Sequence, residues 1–406
     1  MSSVREATPG QTLEPREARA RPDARPIRPL LVLLALLASP LALSLVLAGL
    51  ASIALGNVAL SGWGWLWSIA SIALGAALLT LASARARWAH LRRASVLGLA
   101  ALALVRIALF GGDDAARLVV LDRDGALVSA ARLGDRLFEE RDASMVGSRF
   151  LVLTRAVPAR EFPTLPALLE ASYDATEHDV PHLGTPIPAT LLGQQRADAF
   201  DAILVAPAAP ASDVGVVFLH GFAGNFALQC VEVARVARSR GARTLCPSTR
   251  FAGDWWQGDG EAIVRASIAH LRAHGARRVV LVGLSNGGVG ASRLAPRLGR
   301  EIDALVLLSG VGGRAPSPRV PTLVVPTLVV QGDRDAMMST HAVRAWARGR
   351  AHVRYVELPG THFVLLEERA RVAELLAAAF DADRWAMVST GVEPAPRGFR
   401  IRRSTD

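Results

Sequence analysis

The sequence predicts an α/β protein, a doubly wound and mostly parallel sheet preceded by two or three transmembrane helices. Two observations carry this. After residue 200, short apolar runs of strand length alternate with helix-period segments, as expected of strands buried on both faces by crossover helices. Before residue 112, three apolar runs hold most of the excess that lifts the hydrophobic fraction of this 406-residue chain to 51%.

Residues 1–29 are polar, contain Pro and carry six Arg, a composition expected to stay disordered. Residues 30–55 are apolar and uncharged, long enough to cross a hydrocarbon core of about 30 Å. A second run covers 64–83, and a third, 94–110, sits at the lower length limit and contains Arg106. A signal peptide fits poorly, because the leading segment is long and further apolar runs follow. Arg-rich flanks at 1–29 and at Arg85, Arg87, Arg92 and Arg93 are expected in the cytoplasm, while the loop between the first two runs is uncharged. Trp63, Trp65 and Trp67 then fall in the outer interfacial belt and Trp88 in the inner one. If Arg106 snorkels to the outer surface the third run crosses, the favoured reading, and the chain after Gly112 is expected outside the cytoplasm of a bacterial inner membrane. If the run only lies on the surface, the large domain is cytoplasmic. A lipid bilayer is thus an expected partner.

The whole divides into a tail (1–29), a transmembrane region (30–112), an extension (113–199), the α/β core (200–385) and a C-terminal tail (386–406). Within the extension, 118–130 reads as a hairpin turning at Asp122-Arg123-Asp124-Gly125, and 150–157 as a further strand. Residues 158–198 read as irregular, with one short helix near 165–173. In the core, strands are expected at 202–205, 215–219, 243–245, 278–282, 304–308, 327–330 and 353–357. Helices are expected at 226–240, 260–273, 287–297, 341–348 and 367–379.

All 46 basic residues are Arg, which reads as compositional drift. Residues 113–406 carry 35 Arg against 32 acids, so the large domain has no basic excess and no nucleic-acid partner is expected. Cys230 and Cys246 are either two buried thiols or one disulfide. His270 and His274, four apart on a helix, have metal-like spacing but no third ligand, so no metal or cofactor is assigned.

Four segments at strand ends carry chemistry. Gly283-Leu284-Ser285-Asn286-Gly287 lies between a strand and a helix, where a nucleophile needs a strained turn and small neighbours. His220-Gly221-Phe222-Ala223-Gly224 follows an earlier strand, Gln331-Gly332-Asp333-Arg334-Asp335 a later one, and Leu358-Pro359-Gly360-Thr361-His362 the last. In order and placement these segments resemble the α/β-hydrolase family over roughly residues 200–385. The resemblance implies Ser285 as nucleophile, His362 as general base and Asp335, rather than Asp333, as the acid. It implies an oxyanion hole from the N–H groups of Phe222 and Asn286. His220 is expected to brace its loop.

Little chain separates the strands at 304–308 and 327–330, too little for a large cap. The pocket is expected to be covered by Asp254-Trp255-Trp256 and part of 113–200, with Trp255 and Trp256 lining an acyl site or packing in the core. The expected function is a membrane-anchored serine hydrolase cleaving a small-molecule or lipid-like ester, an acyl ester or thioester. A serine peptidase of the same fold, or a non-catalytic membrane sensor or scaffold, is the alternative.

Overall fold

The computed structural model describes residues 60–79, 86–109, 114–123, 127–129, 132–155, 157–158, 164–208, 210–312, 325–348, 350 and 352–381, with scattered positions in 47–54. The tail 1–29, most of the apolar run 30–55 and the tail 386–406 lie outside the described residues.

Two helices, α1 (Gly62–Leu79) and α2 (Ala86–Leu109), come first. A hairpin follows, β1 (Ala116–Leu121) and β2 (Leu127–Ser129). Then come α3 (Leu133–Leu137), α4 (Glu140–Leu153), α5 (Leu165–Asp179) and α6 (Ile187–Leu191). The remainder alternates: β3 (Phe200–Val205), β4 (Val214–Leu219), α7 (Ala227–Ser239), β5 (Arg243–Pro247), α8 (Gly260–Ala273), β6 (Arg278–Leu284), α9 (Asn286–Leu298), β7 (Ala304–Leu308), β8 (Thr327–Gly332), α10 (Thr340–Ala347), β9 (Val353–Leu358), α11 (Val364–Glu367) and α12 (Arg369–Phe380).

Among the described residues the strands form one sheet in the order β2-β1-β3-β5-β4-β6-β7-β8-β9. From β5 to β9 every neighbouring pair is parallel, and β2, β1 and β3 extend the sheet antiparallel. Every residue of β4, β7 and β8 is buried, because helices cover both faces. One face packs Val216, Val280 and Val306 under Val233 of α7 and Leu376 of α12. The other packs Val217, Leu281 and Leu307 against Ile263 of α8 and Leu294 of α9. The architecture is α/β with a mostly parallel, doubly wound sheet. The chain leaves β4 towards β5 and leaves β6 towards β7, so the loops after β4 and β6 diverge at a switch point. That crevice is where open α/β sheets place their sites. Cys230 on α7 and Cys246 on β5 form a disulfide.

Three expectations need correction. Residues 150–153 are not strand but the last turn of α4; Met145 of this helix is buried in the core, and a short apolar run cannot be told from buried helix by pattern alone. The helix expected at 165–173 runs on to Asp179, and α6 interrupts the segment expected to be irregular.

The third concerns the membrane. Among the described residues, no helix is long and apolar enough to cross one. The expected second and third spans correspond to α1 and α2, and Arg106 does not snorkel to water. It is 1% exposed, with Nη2 2.5 Å from Glu139 Oε2 and donating to the Phe138 carbonyl at 3.0 Å. The N–H and hydroxyl of Ser61 donate to Asp142 at 2.6 and 2.7 Å. Acidic residues at the start of α4 thus dock both helices onto the α/β domain.

Candidate active site

Strand β6 continues through Leu284, so Ser285 follows it directly and is the residue preceding α9. Its φ of 54° and ψ of −121° are strained for a residue with a side chain, and such strain concentrates at functional turns. The turn is held by the Ser285 N–H donating to Leu308 O at 2.8 Å and by the Val289 N–H donating to Ser285 O at 3.0 Å. A Cβ on Gly283 would lie 2.3 Å from the Gly287 carbonyl oxygen, so no side chain fits inside the turn.

His362 lies in the loop after β9. Its Nδ1–H donates to Asp335 Oδ2 at 2.8 Å, which leaves Nε2 as the acceptor facing Ser285 Oγ at 3.0 Å. Asp335 lies just past β8 with its carboxylate fully buried. Oδ1 accepts the N–H groups of Met337 and Met338 at 2.9 and 2.8 Å, and Oδ2 also accepts Gln331 Nε2 at 2.7 Å. Asp333, two residues earlier, instead accepts the Gly360 N–H at 2.9 Å and fixes the loop that carries the histidine.

The loop after β4 presses against the serine: a Cβ on Gly221 would lie 3.0 Å from that of Ser285. His220 braces it from below. Burial pushes its imidazole down to about 4, and the neutral ring accepts the Thr249 N–H at Nε2 (3.1 Å) while Nδ1 meets the Gly221 carbonyl at 2.8 Å. Next along, the Phe222 N–H donates to no group among the described residues. The Asn286 N–H lies in the first turn of α9, where the helix offers no acceptor. Both N–H groups thus sit on segments that meet at Ser285.

Trp255 and Trp256 do not line the pocket. Trp255 is fully buried, packed against Gly290 and edge-on to His220, with Nε1 donating to the His220 carbonyl at 2.9 Å. A large amphipathic ring is here a brace under the His220 loop. Trp256 lies under the guanidinium of Arg293, whose carbon is 4.3 Å from the ring centroid.

The cavity that does open onto Ser285 and His362 has a volume of about 410 Å³. Helices α4 and α5 roof it, through residues such as Gly147, Leu151, Leu169 and Tyr173, and Phe222 and Phe251 stand at its edge. Reading 150–153 as a strand hid this roof. The signal that could have found it is the glycine at 147 inside the helical spacing of Met145, Ser148 and Leu151. The cap is anchored by Glu140: its two carboxylate oxygens accept the N–H groups of Ala227 and Leu228, at 2.7 and 3.0 Å, at the start of α7. Tyr173 donates to the same carboxylate at 3.1 Å.

No protein-family model and no curated protein sequence matches the chain. Among solved structures, an esterase domain from a Rhodothermus marinus protein is 19% identical and is covered over 92% of its length by 45% of this chain, with a TM-score of 0.36. Est1E from Butyrivibrio proteoclasticus is 20% identical, covered over 92% by 44% of this chain, with a TM-score of 0.35. A proline iminopeptidase from Mycobacterium smegmatis is 15% identical, covered over 96% by 45% of this chain, also with a TM-score of 0.35.

Proposed function

We propose that this chain is a membrane-anchored serine hydrolase that cleaves a small-molecule or lipid-like ester through an acyl-enzyme on Ser285. The observation that carries the reading is the single imidazole of His362 bridging the Ser285 hydroxyl and a fully buried carboxylate. In this mechanism Ser285 Oγ attacks the carbonyl carbon while His362 Nε2 takes its proton. Asp335 holds the ring in the required tautomer and stabilises the imidazolium. The N–H groups of Phe222 and Asn286 receive the oxyanion. Collapse expels the alcohol or thiol, which takes the proton from His362, and water activated by the same imidazole releases the acid.

An ester is favoured over a peptide by the cavity wall. Among the described lining residues none is Asp, Glu or Arg, so nothing there would recognise a peptide terminus. Attachment to a bilayer rests on the uncharged apolar run 30–55. The Cys230–Cys246 disulfide supports placing the α/β domain on the extracytoplasmic side.

A fluorophosphonate probe tests the chemistry: labelling is expected on the intact protein and absent in Ser285→Ala. Folded protein that takes no label would overturn the reading. For the anchor, the chain should remain with membranes on fractionation, and a reporter fused after Phe110 should be active outside the cytoplasm. A reporter active only inside would reverse the orientation.

A further inference from the structure

We infer that the cavity beside Ser285 is a trough for a neutral, medium-length acyl chain and that Gly147 sets how long a chain it accepts. This rests on the serine-hydrolase reading for its chemistry but not for its geometry. Glycine weakens a helix interior relative to alanine, and Gly147 sits in the middle of α4. Packing does not require it: a Cβ there would meet nothing within 4 Å. Yet Gly147 lines the cavity, between Ser144 and Leu151 on the same helical face and together with Leu165 and Leu169 of α5. What the missing side chain contributes is empty volume in the cavity that Ser285 opens onto.

The wall has nothing to offer a charge. Apart from His362 and Tyr173, no described lining side chain titrates. Of its polar side chains, Ser148 donates to the Met145 carbonyl at 2.8 Å, the Tyr173 hydroxyl lies 2.6 Å from Ser144 Oγ while bonded to Glu140, and Gln229 is a neutral amide. A carboxylate or ammonium on the acyl group would lose its water with no opposite charge to replace it. Methylenes, by contrast, exchange water for leucine side chains. The volume of about 410 Å³ falls in the range of sites that hold a small organic ligand.

The test is a series of p-nitrophenyl esters, acetate through octanoate, with the monosuccinate as the charged member. For the intact protein kcat/KM should rise about fourfold per added methylene, and the succinate should fall below butyrate. Gly147→Met keeps a good helix former and fills the trough, so the octanoate-to-acetate ratio of kcat/KM should drop at least about tenfold. Gly147→Ala should lower the same ratio less, and it decides the matter if the methionine variant does not fold. A flat chain-length profile, or a ratio unmoved in a folded variant, overturns the inference. If no ester is hydrolysed at all, calorimetry of octanamide against acetamide on Ser285→Ala protein reads the trough alone. Selective octanamide binding without labelling would retain the trough and discard the hydrolase; labelling with neither binding nor length selectivity would do the reverse.

Discussion

Gly287 approaches the Leu219 carbonyl so closely that a Cβ on it would lie 2.0 Å from that oxygen. The start of α9 is thereby pressed onto the end of β4, which brings the two donor-bearing loops to one serine. Gly287→Ala should cost at least about 3 kcal/mol, because backbone atoms on both sides must move. Chemical denaturation measures the loss. An alanine variant of undiminished stability would mean the turn is looser than described.

The two aspartates after β8 should separate cleanly by mutation. Asp335→Asn deprives His362 of its acceptor and should lower kcat for an ester by about 10⁴-fold, while Ser285→Ala should lower it by about 10⁶-fold. Asp333→Asn keeps an oxygen for the Gly360 N–H and should stay within about tenfold of the parent. Steady-state kinetics on the three proteins decides it, and a larger loss at position 333 than at 335 would reassign the acid.

The tryptophan pair should behave as structure rather than as substrate contact. Trp255→Phe leaves the buried His220 carbonyl without its indole donor and should cost about 1–3 kcal/mol of stability. Trp256→Ala removes a ring stacked on a surface arginine and should change stability by about 0.5 kcal/mol or less. Neither should alter the chain-length preference among esters, which the same ester series reads directly.

Asp135 of α3 and Asp201 of β3 are both buried, next to Arg132, Gln195 and the N–H of Ala189. Burial first, and the Asp201 carboxylate second, push Asp135 up from 3.8 to about 7. The folded protein therefore binds more protons than the unfolded chain between those values. Stability should fall as pH rises through that window, with the loss complete above about pH 7. Asp135→Asn mimics the neutral form and keeps the acceptor for Ala189. It should be more stable than the parent above pH 7, on the order of a few kcal/mol, with the difference vanishing near pH 4. Denaturation curves at both ends of the range measure this, and a pH-independent difference would contradict it.

The sheet was legible because fully buried parallel strands leave uninterrupted apolar runs such as 304–308, and their ends mark where Ser285, Asp335 and His362 fall. The cap was not. Phe150-Leu151-Val152-Leu153 has strand-like composition, and its helical character shows only from Glu140 onward. Trp255 misled for a different reason: its partner Gly290 lies 35 residues away, and the space that a glycine leaves for an indole does not appear in a local pattern. The docking of α2 was hidden likewise, since Arg106 finds Glu139 only after the chain has built β1 and β2.

Glu140 joins roof and floor with one carboxylate, held by two peptide N–H groups of α7 and a phenol from α5. Swinging α4 aside would strand that carboxyl group and two helix-terminal donors at once. Traffic to Ser285 must then pass through a fixed doorway, whose jambs are the exposed Phe222, Phe251 and Met337. Crowding those three positions would throttle large esters before small ones.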